Sequence, residues 1–175
     1  GSLEAEERGK VMDFVLQKPP SVRGYALHRV AAGMTDGEKV LFADCGDHLR
    51  LRTEKPLDVA AQPLRTVATG DIVGFELRAC VGSKVKGRHR YFHTSDWRSR
   101  HQWLDRQGER HGFTIITVHC TARMLPVEAG ARRFTVDQTD FTGVLKVTDA
   151  GKFNAAVANG IGNKARAFGF GLLII

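Results

Sequence analysis

Apolar and polar residues alternate along "VMDFVLQ" (11–17), "DIVGFELRAC" (71–80), "FTIITVHCTARMLPV" (113–127) and "RRFTVDQTDFTGVLKVTD" (132–149). That is the period-two pattern of strands with one buried face. "KVLFADCGDHLRLRTE" (39–54) predicts two more strands around a Gly-Asp turn, and "EAGA" predicts a tight turn between the strands at 113–127 and 132–149. Helices are predicted at 22–34, after Pro19-Pro20 and a Ser21 cap, at 95–112, from Ser95 to Gly112, and at 152–160, ending at the C-cap Gly160. Trp97, His101 and Leu104 fall on one side of the second helix, and "GFGLLII" (169–175) reads as a buried strand. Pro56, Pro63 and Gly70 make 56–69 a poor helix. The first half therefore reads β-α-β-β-(weak helix)-β, the ferredoxin-like order. A break at "VGSKVKGRHR" (81–90) separates it from a similar second half. The fold class expected is α+β, as tandem ferredoxin-like (RRM-like) domains, residues 1–81 forming a shortened first domain and 82–175 the second. Gly1-Ser2 has the look of a tag remnant and is set aside.

Charge changes this picture more than composition does. The net charge is +7, with 11 Lys and Arg against 12 Asp and Glu in residues 1–81 and 15 against 7 in residues 82–175, that is −1 and +8. So lopsided a distribution makes a nucleic acid the leading partner, met mainly by the second half. With no apolar run near the ~20 residues that span a bilayer, and no secretory segment, the expectation is a soluble, cytoplasmic protein with no membrane partner. Cys45, Cys80 and Cys120 are widely spaced, without a C-x-x-C pair, and read as buried thiols rather than metal ligands.

Residues 160–175, "GIGNKARAFGFGLLII", concentrate the chemistry of the C-terminal half. "GIGNKA" fits G-x-G-x-x-A, but a dinucleotide site needs that motif to lead from a strand into a helix, and here it leads from a helix into a strand. "RAFGFGLL" is similar to the RNP1 strand of RRM domains, which is followed by a further helix and strand. In either reading glycines let backbone N–H groups approach phosphates, and Lys164 and Arg166 set cations beside them.

A third likeness takes in most of the chain. The G-x-G, Lys/Arg, G-x-G loop before a "GLL" strand, preceded by "FTGVLKVTD", resembles the C-terminal signature of the CRISPR repeat-processing endoribonucleases, most of all the type I-E CasE branch. "FELRAC" (75–80) is similar to that family's F-x-L-R-A-N-P strand, and "WLDRQGERHGF" (103–113) to its W-L-x-R helix. Six residues rather than five separate Gly162 from Gly169, and the first domain is short, features that leave room for a related subtype such as type IV.

On a helical wheel of 22–34, Leu27, Val30, Ala31 and Met34 share the apolar stripe, while Tyr25 and His28 lie on the other side, flanked by Arg29. The resemblance puts a Tyr and a His at this Y-x-x-H spacing in the active site. RNA supplies its own nucleophile, the 2′-hydroxyl, so backbone cleavage needs proton transfer and stabilisation of phosphorane charge, with no metal and no cofactor expected. Imidazole, with an ordinary pKa of about 6.5, suits His28 to general acid or base work. Tyr25 would orient the 2′-hydroxyl or the phosphate, and Lys164 would neutralise charge. The resemblance further implies binding of a CRISPR repeat stem-loop, cleavage at its 3′ base to 2′,3′-cyclic phosphate and 5′-hydroxyl ends, and retention of the crRNA with the other subunits of an effector complex. Candidate RNA contacts are Arg29, Arg88, Arg90, Arg106, Arg110, Arg132, Arg133, Lys164 and Arg166, with Gly160, Gly162 and Gly169 shaping the loop. A non-catalytic RNA-binding module of RRM-like fold would keep the loop and the cations but has no need of the Tyr25/His28 pair.

Overall fold

Two four-stranded antiparallel sheets organise the chain in the computed structural model, which describes residues 10–19, 21–22, 25–34, 40–85, 88–90, 92–129, 131–162, 166 and 169–175. The first holds β1 (Met12–Gln17), β2 (Leu41–Asp44), β3 (His48–Thr53) and β4 (Ala61–Pro63) in the order β2-β3-β1-β4, with α1 (Tyr25–Met34) between β1 and β2. The second holds β5 (Ile72–Ala79), β8 (Phe113–Ala129), β9 (Arg132–Val147) and β10 (Leu173–Ile174) in the order β10-β5-β9-β8. Its helices are α2 (Trp97–His111) and α3 (Ala150–Asn159). Each sheet orders its strands 4-1-3-2 by chain position, so the architecture is the tandem ferredoxin-like one, with no helix among the described residues between β3 and β4.

The break expected at 81 does not divide the sheets. β5 pairs with β9 from Ile72↔Lys146 to Ala79↔Thr139 and with β10 at Leu173↔Leu77, so the passage between sheets falls in 64–71. The reason is burial: Val73, Phe75, Leu77 and Ala79 on one face of β5 join Leu104, Phe113, Phe153 and Val157 in the second core. The Gly-rich and cationic stretch at 81–90 instead carries a small hairpin, β6 (Ser83–Val85) with β7 (Arg88–Arg90), inserted before α2. A separate core of Phe14, Leu27, Ala31, Phe42, Leu49 and Leu51 closes α1 onto the first sheet.

Several local expectations shift. The cap of α2 is Asp96 rather than Ser95, its carboxylate accepting from the Ser99 N–H at 3.0 Å, while Gly112 ends the helix as read, with φ +76°. The buried side of α2 is Arg100, Trp103, Leu104 and Gln107, and Trp97 stands 56% exposed. Arg100 replaces Trp97 inside because its guanidinium meets Asp137, Thr139 Oγ1 (3.0 Å) and the carbonyls of His93 (2.6 Å) and Asp96 (3.0 Å). In α1, Leu27 and Ala31 are buried but Val30 is 47% exposed. Cys80 is buried, but Cys120 is half-buried and Cys45 lies exposed, in the turn after β2.

Candidate active site

α1 and the Gly-rich loop meet at one aromatic ring. The two buried positions Leu27 and Ala31, four apart, fix the helix on the first sheet and turn half-buried His28 so that its imidazole stacks with Phe42 of β2, centroids 6.4 Å apart and planes 28° from parallel. From the other domain Gly169 reaches the same ring: its φ is +87°, and a Cβ there would sit 2.9 Å from Phe42 Cε2. Only glycine suits both demands. Tyr25 opens α1 one turn before His28, its side chain outside the described residues, and Arg29 is exposed beside them. The approach to α1 is tied down by the Lys18 ammonium, 2.7 Å from Val22 O and 3.1 Å from Asp44 Oδ1.

The loop owes its shape to positive-φ glycines and one inward arginine. Gly160 caps α3, its N–H donating to Ala156 O at 2.7 Å, and Gly162 packs against Trp103, where a Cβ would stand 3.4 Å from Cζ2. Arg166 donates from Nε to Gly162 O (2.7 Å) and from Nη1 to Asn159 O (2.9 Å), with burial lowering its pKa. Its guanidinium fills the space that side chains at 160 and 171 would need, with Cβ positions 2.5 and 2.8 Å away. These bonds make Arg166 a staple within the loop, whereas sequence placed it as a phosphate contact. Lys164 lies outside the described residues.

Behind the loop sits a second guanidinium that sequence reasoning missed. Arg52 of β3, 4% exposed, forks onto Asp13 of β1 (Nε to Oδ1 2.6 Å, Nη2 to Oδ2 2.8 Å) and donates from Nη1 to Val157 O (2.8 Å) and Leu173 O (2.7 Å) in the second domain. A signal existed: "VMDFVLQ" and "HLRLRT" each bury a charge of opposite sign inside an apolar strand. Phe42 was likewise missed as the ring joining helix to loop.

The remaining cations are spread over the second half. Arg106 and Arg110 are exposed on α2, the helix whose Trp103 packs against Gly162 of the loop, and burial together with Arg110 and Arg166 lowers the pKa of His111. Arg132 and Arg133 start β9 at the tip of the long β8–β9 hairpin. Arg133 is exposed and 3.2 Å from Glu128, and the side chain of Arg132 is outside the described residues. Arg88 and Arg90 form β7, their side chains also outside that set. The hairpin tip and β7 are thus separate elements from the His28–Phe42–Gly169 contact. A groove of about 340 Å³ between the sheets is lined by Asp44, Glu76, Arg78 and Asp140 together with Gly169 of the loop, Asp44 being paired with Lys18 and Asp140 with Arg78. No helix among the described residues is long and apolar enough to cross a membrane.

The CRISPR associated protein family matches this chain over residues 11–175. Among solved structures, the chain is similar to the CRISPR endoribonuclease Cse3 bound to a 19-nucleotide RNA, at 20% identity and TM-score 0.81 over 94% of this chain and 98% of that one. It is similar to Cas6e from Escherichia coli K-12, at 21% identity and TM-score 0.71 over 94% and 97%. A chain of the E. coli Cascade bound to a PAM-containing double-stranded DNA target gives 20% identity and TM-score 0.60 over 92% and 96%. At these identities the likeness is one of fold. No curated protein matches the chain.

Proposed function

The chain belongs to the CRISPR-associated protein family, which spans its residues 11–175, and from that premise we propose that it is a metal-independent endoribonuclease that processes CRISPR repeat RNA in the cytoplasm. The observation that carries this reading is the meeting of His28, Phe42 and Gly169, which sets a titratable side chain at the seam between a helix and a glycine loop suited to phosphate. His28 acts as general acid or base on the 2′-hydroxyl or the leaving 5′-oxygen. Tyr25 orients the reacting group and Lys164 takes up phosphorane charge. The products are a 2′,3′-cyclic phosphate and a 5′-hydroxyl.

Substrate recognition follows from RNA geometry. A-form stems hide their base edges, so a stem-loop is held by shape and phosphates. Arg106 and Arg110 on α2, with Arg132 and Arg133 at the tip of the β8–β9 hairpin, serve that purpose, and cleavage falls at the 3′ base of the stem. Similarity to Cse3 with bound RNA and to a chain of Cascade supports retention of the crRNA beside the other subunits of a guided complex. The test is cleavage of repeat RNA in excess EDTA, with and without a 2′-deoxy nucleotide 5′ of the scissile phosphate. Cleavage of the all-ribose RNA alone is the expected result. Activity lost to EDTA and restored by Mg²⁺ refutes the mechanism, and binding without cleavage identifies a non-catalytic RNA module.

A further inference from the structure

Arg52 touches both shoulders of the Gly-rich loop. Val157 lies in the last turn of α3, whose carbonyls have no partners within the helix, and Leu173 begins β10, an edge strand. Between them runs the segment 158–172, with Gly169 against Phe42 and Phe42 against His28. One guanidinium, seated on β3 beside the strand that carries Phe42, therefore holds the exit of the helix and the entry of the strand at once. Its two bonds to the second domain span 105 and 121 residues of sequence.

We propose that Arg52, oriented by Asp13, is a positioning residue that latches the two ends of the Gly-rich loop to the first sheet and thereby sets the distance between the loop and His28. The inference rests on the nuclease reading for its effect on rate and on geometry alone for the latch. At 4% and 5% exposure, Arg52 and Asp13 cannot be RNA ligands. Arg52 also belongs to none of the three apolar clusters. Lysine cannot replace it, because a single ammonium does not reproduce a fork on the carboxylate plus two bonds to separate carbonyls. Losing the guanidinium leaves two buried carbonyls without this donor and Asp13 with only the Arg50 guanidinium, 3.4 Å away, a deficit that the domains relieve by moving apart.

Arg52→Lys and Asp13→Asn are compared with wild type in two ways. In single-turnover cleavage at saturating repeat RNA, misplacement of the loop by about 1 Å should slow Arg52→Lys on the order of 10²-fold, while the Kd for uncleavable 2′-deoxy RNA stays within about threefold. Asp13→Asn should change both quantities in the same directions by less. In amide exchange without RNA, Ile161 and β10 should exchange faster in the variants while Leu51 of the first core is unchanged. A folded Arg52→Lys with wild-type rate and exchange, a loss confined to Kd, or failure of both variants to fold overturns the latch. If wild type does not cleave, the nuclease reading falls and the exchange measurement still decides the latch.

Discussion

At the scale of single residues, His28 is bound into the fold more firmly than the helical wheel of "YALHRVAAGM" indicates, because its ring lies against Phe42. The wheel separates apolar from polar positions but cannot see a ring supplied by another strand. On the proposed reading, removing the imidazole should therefore have two effects of different size. Loss of a stacked ring costs about 0.5–1.5 kcal/mol of stability. Loss of a positioned general acid or base costs on the order of 10² to 10⁴ in single-turnover rate. His28→Ala should accordingly remain folded by circular dichroism, melt slightly earlier and bind uncleavable repeat RNA as wild type does, yet cleave at the reduced rate. Tyr25→Phe, which deletes only a hydroxyl, should lose less. A His28→Ala protein that cleaves at the wild-type rate would remove the imidazole from the chemistry.

Among the elements, legibility followed locality. The alternation that made β1, β5, β8 and β9 readable is a property of each strand by itself, and Gly112 and Gly160 mark the helix ends because a left-handed or otherwise positive φ was needed there. β4 was invisible, being three exposed residues that end in Pro63. The sheet to which β5 belongs is decided by pairing with residues 139–146, which no local pattern records. Charged residues misled most, since Arg52 and Arg100 count as surface cations by type but are buried. Arg100 shows what such a residue does for an element: with Asp137 and the carbonyls of 93 and 96 it pins the start of α2 to β9. Arg100→Met leaves the Asp137 carboxylate, 0% exposed, without its counter-charge. Breaking such a pair from one side costs about 3–5 kcal/mol, so urea unfolding should show a loss of that order. A loss under about 1 kcal/mol, the range of surface pairs, would mean that the pair is not buried in solution.

For the whole molecule, what most distinguishes the two halves is charge, −1 against +8, rather than strand order, which they share. Part of that positive charge is already neutralised inside the protein, where Arg100 pairs with Asp137. Cations left for a polyanion must therefore be sought among exposed positions such as Arg106 and Arg110. Each phosphate contact that a Lys or Arg makes releases condensed counterions, so the log-log slope of affinity against salt counts those contacts, at roughly 0.7 to 0.9 apiece. Arg106→Ala with Arg110→Ala should weaken binding of uncleavable repeat RNA and flatten that slope by about 1.4 to 1.8. The comparison is Arg65→Ala, an exposed cation in the segment between the sheets, which should leave the slope unchanged. Arg52 cannot serve as that comparison, since its loss would disturb the loop from within. Equal flattening by Arg65→Ala, counted per charge removed, would show that RNA is held by the net charge of the chain rather than by a face of its second domain.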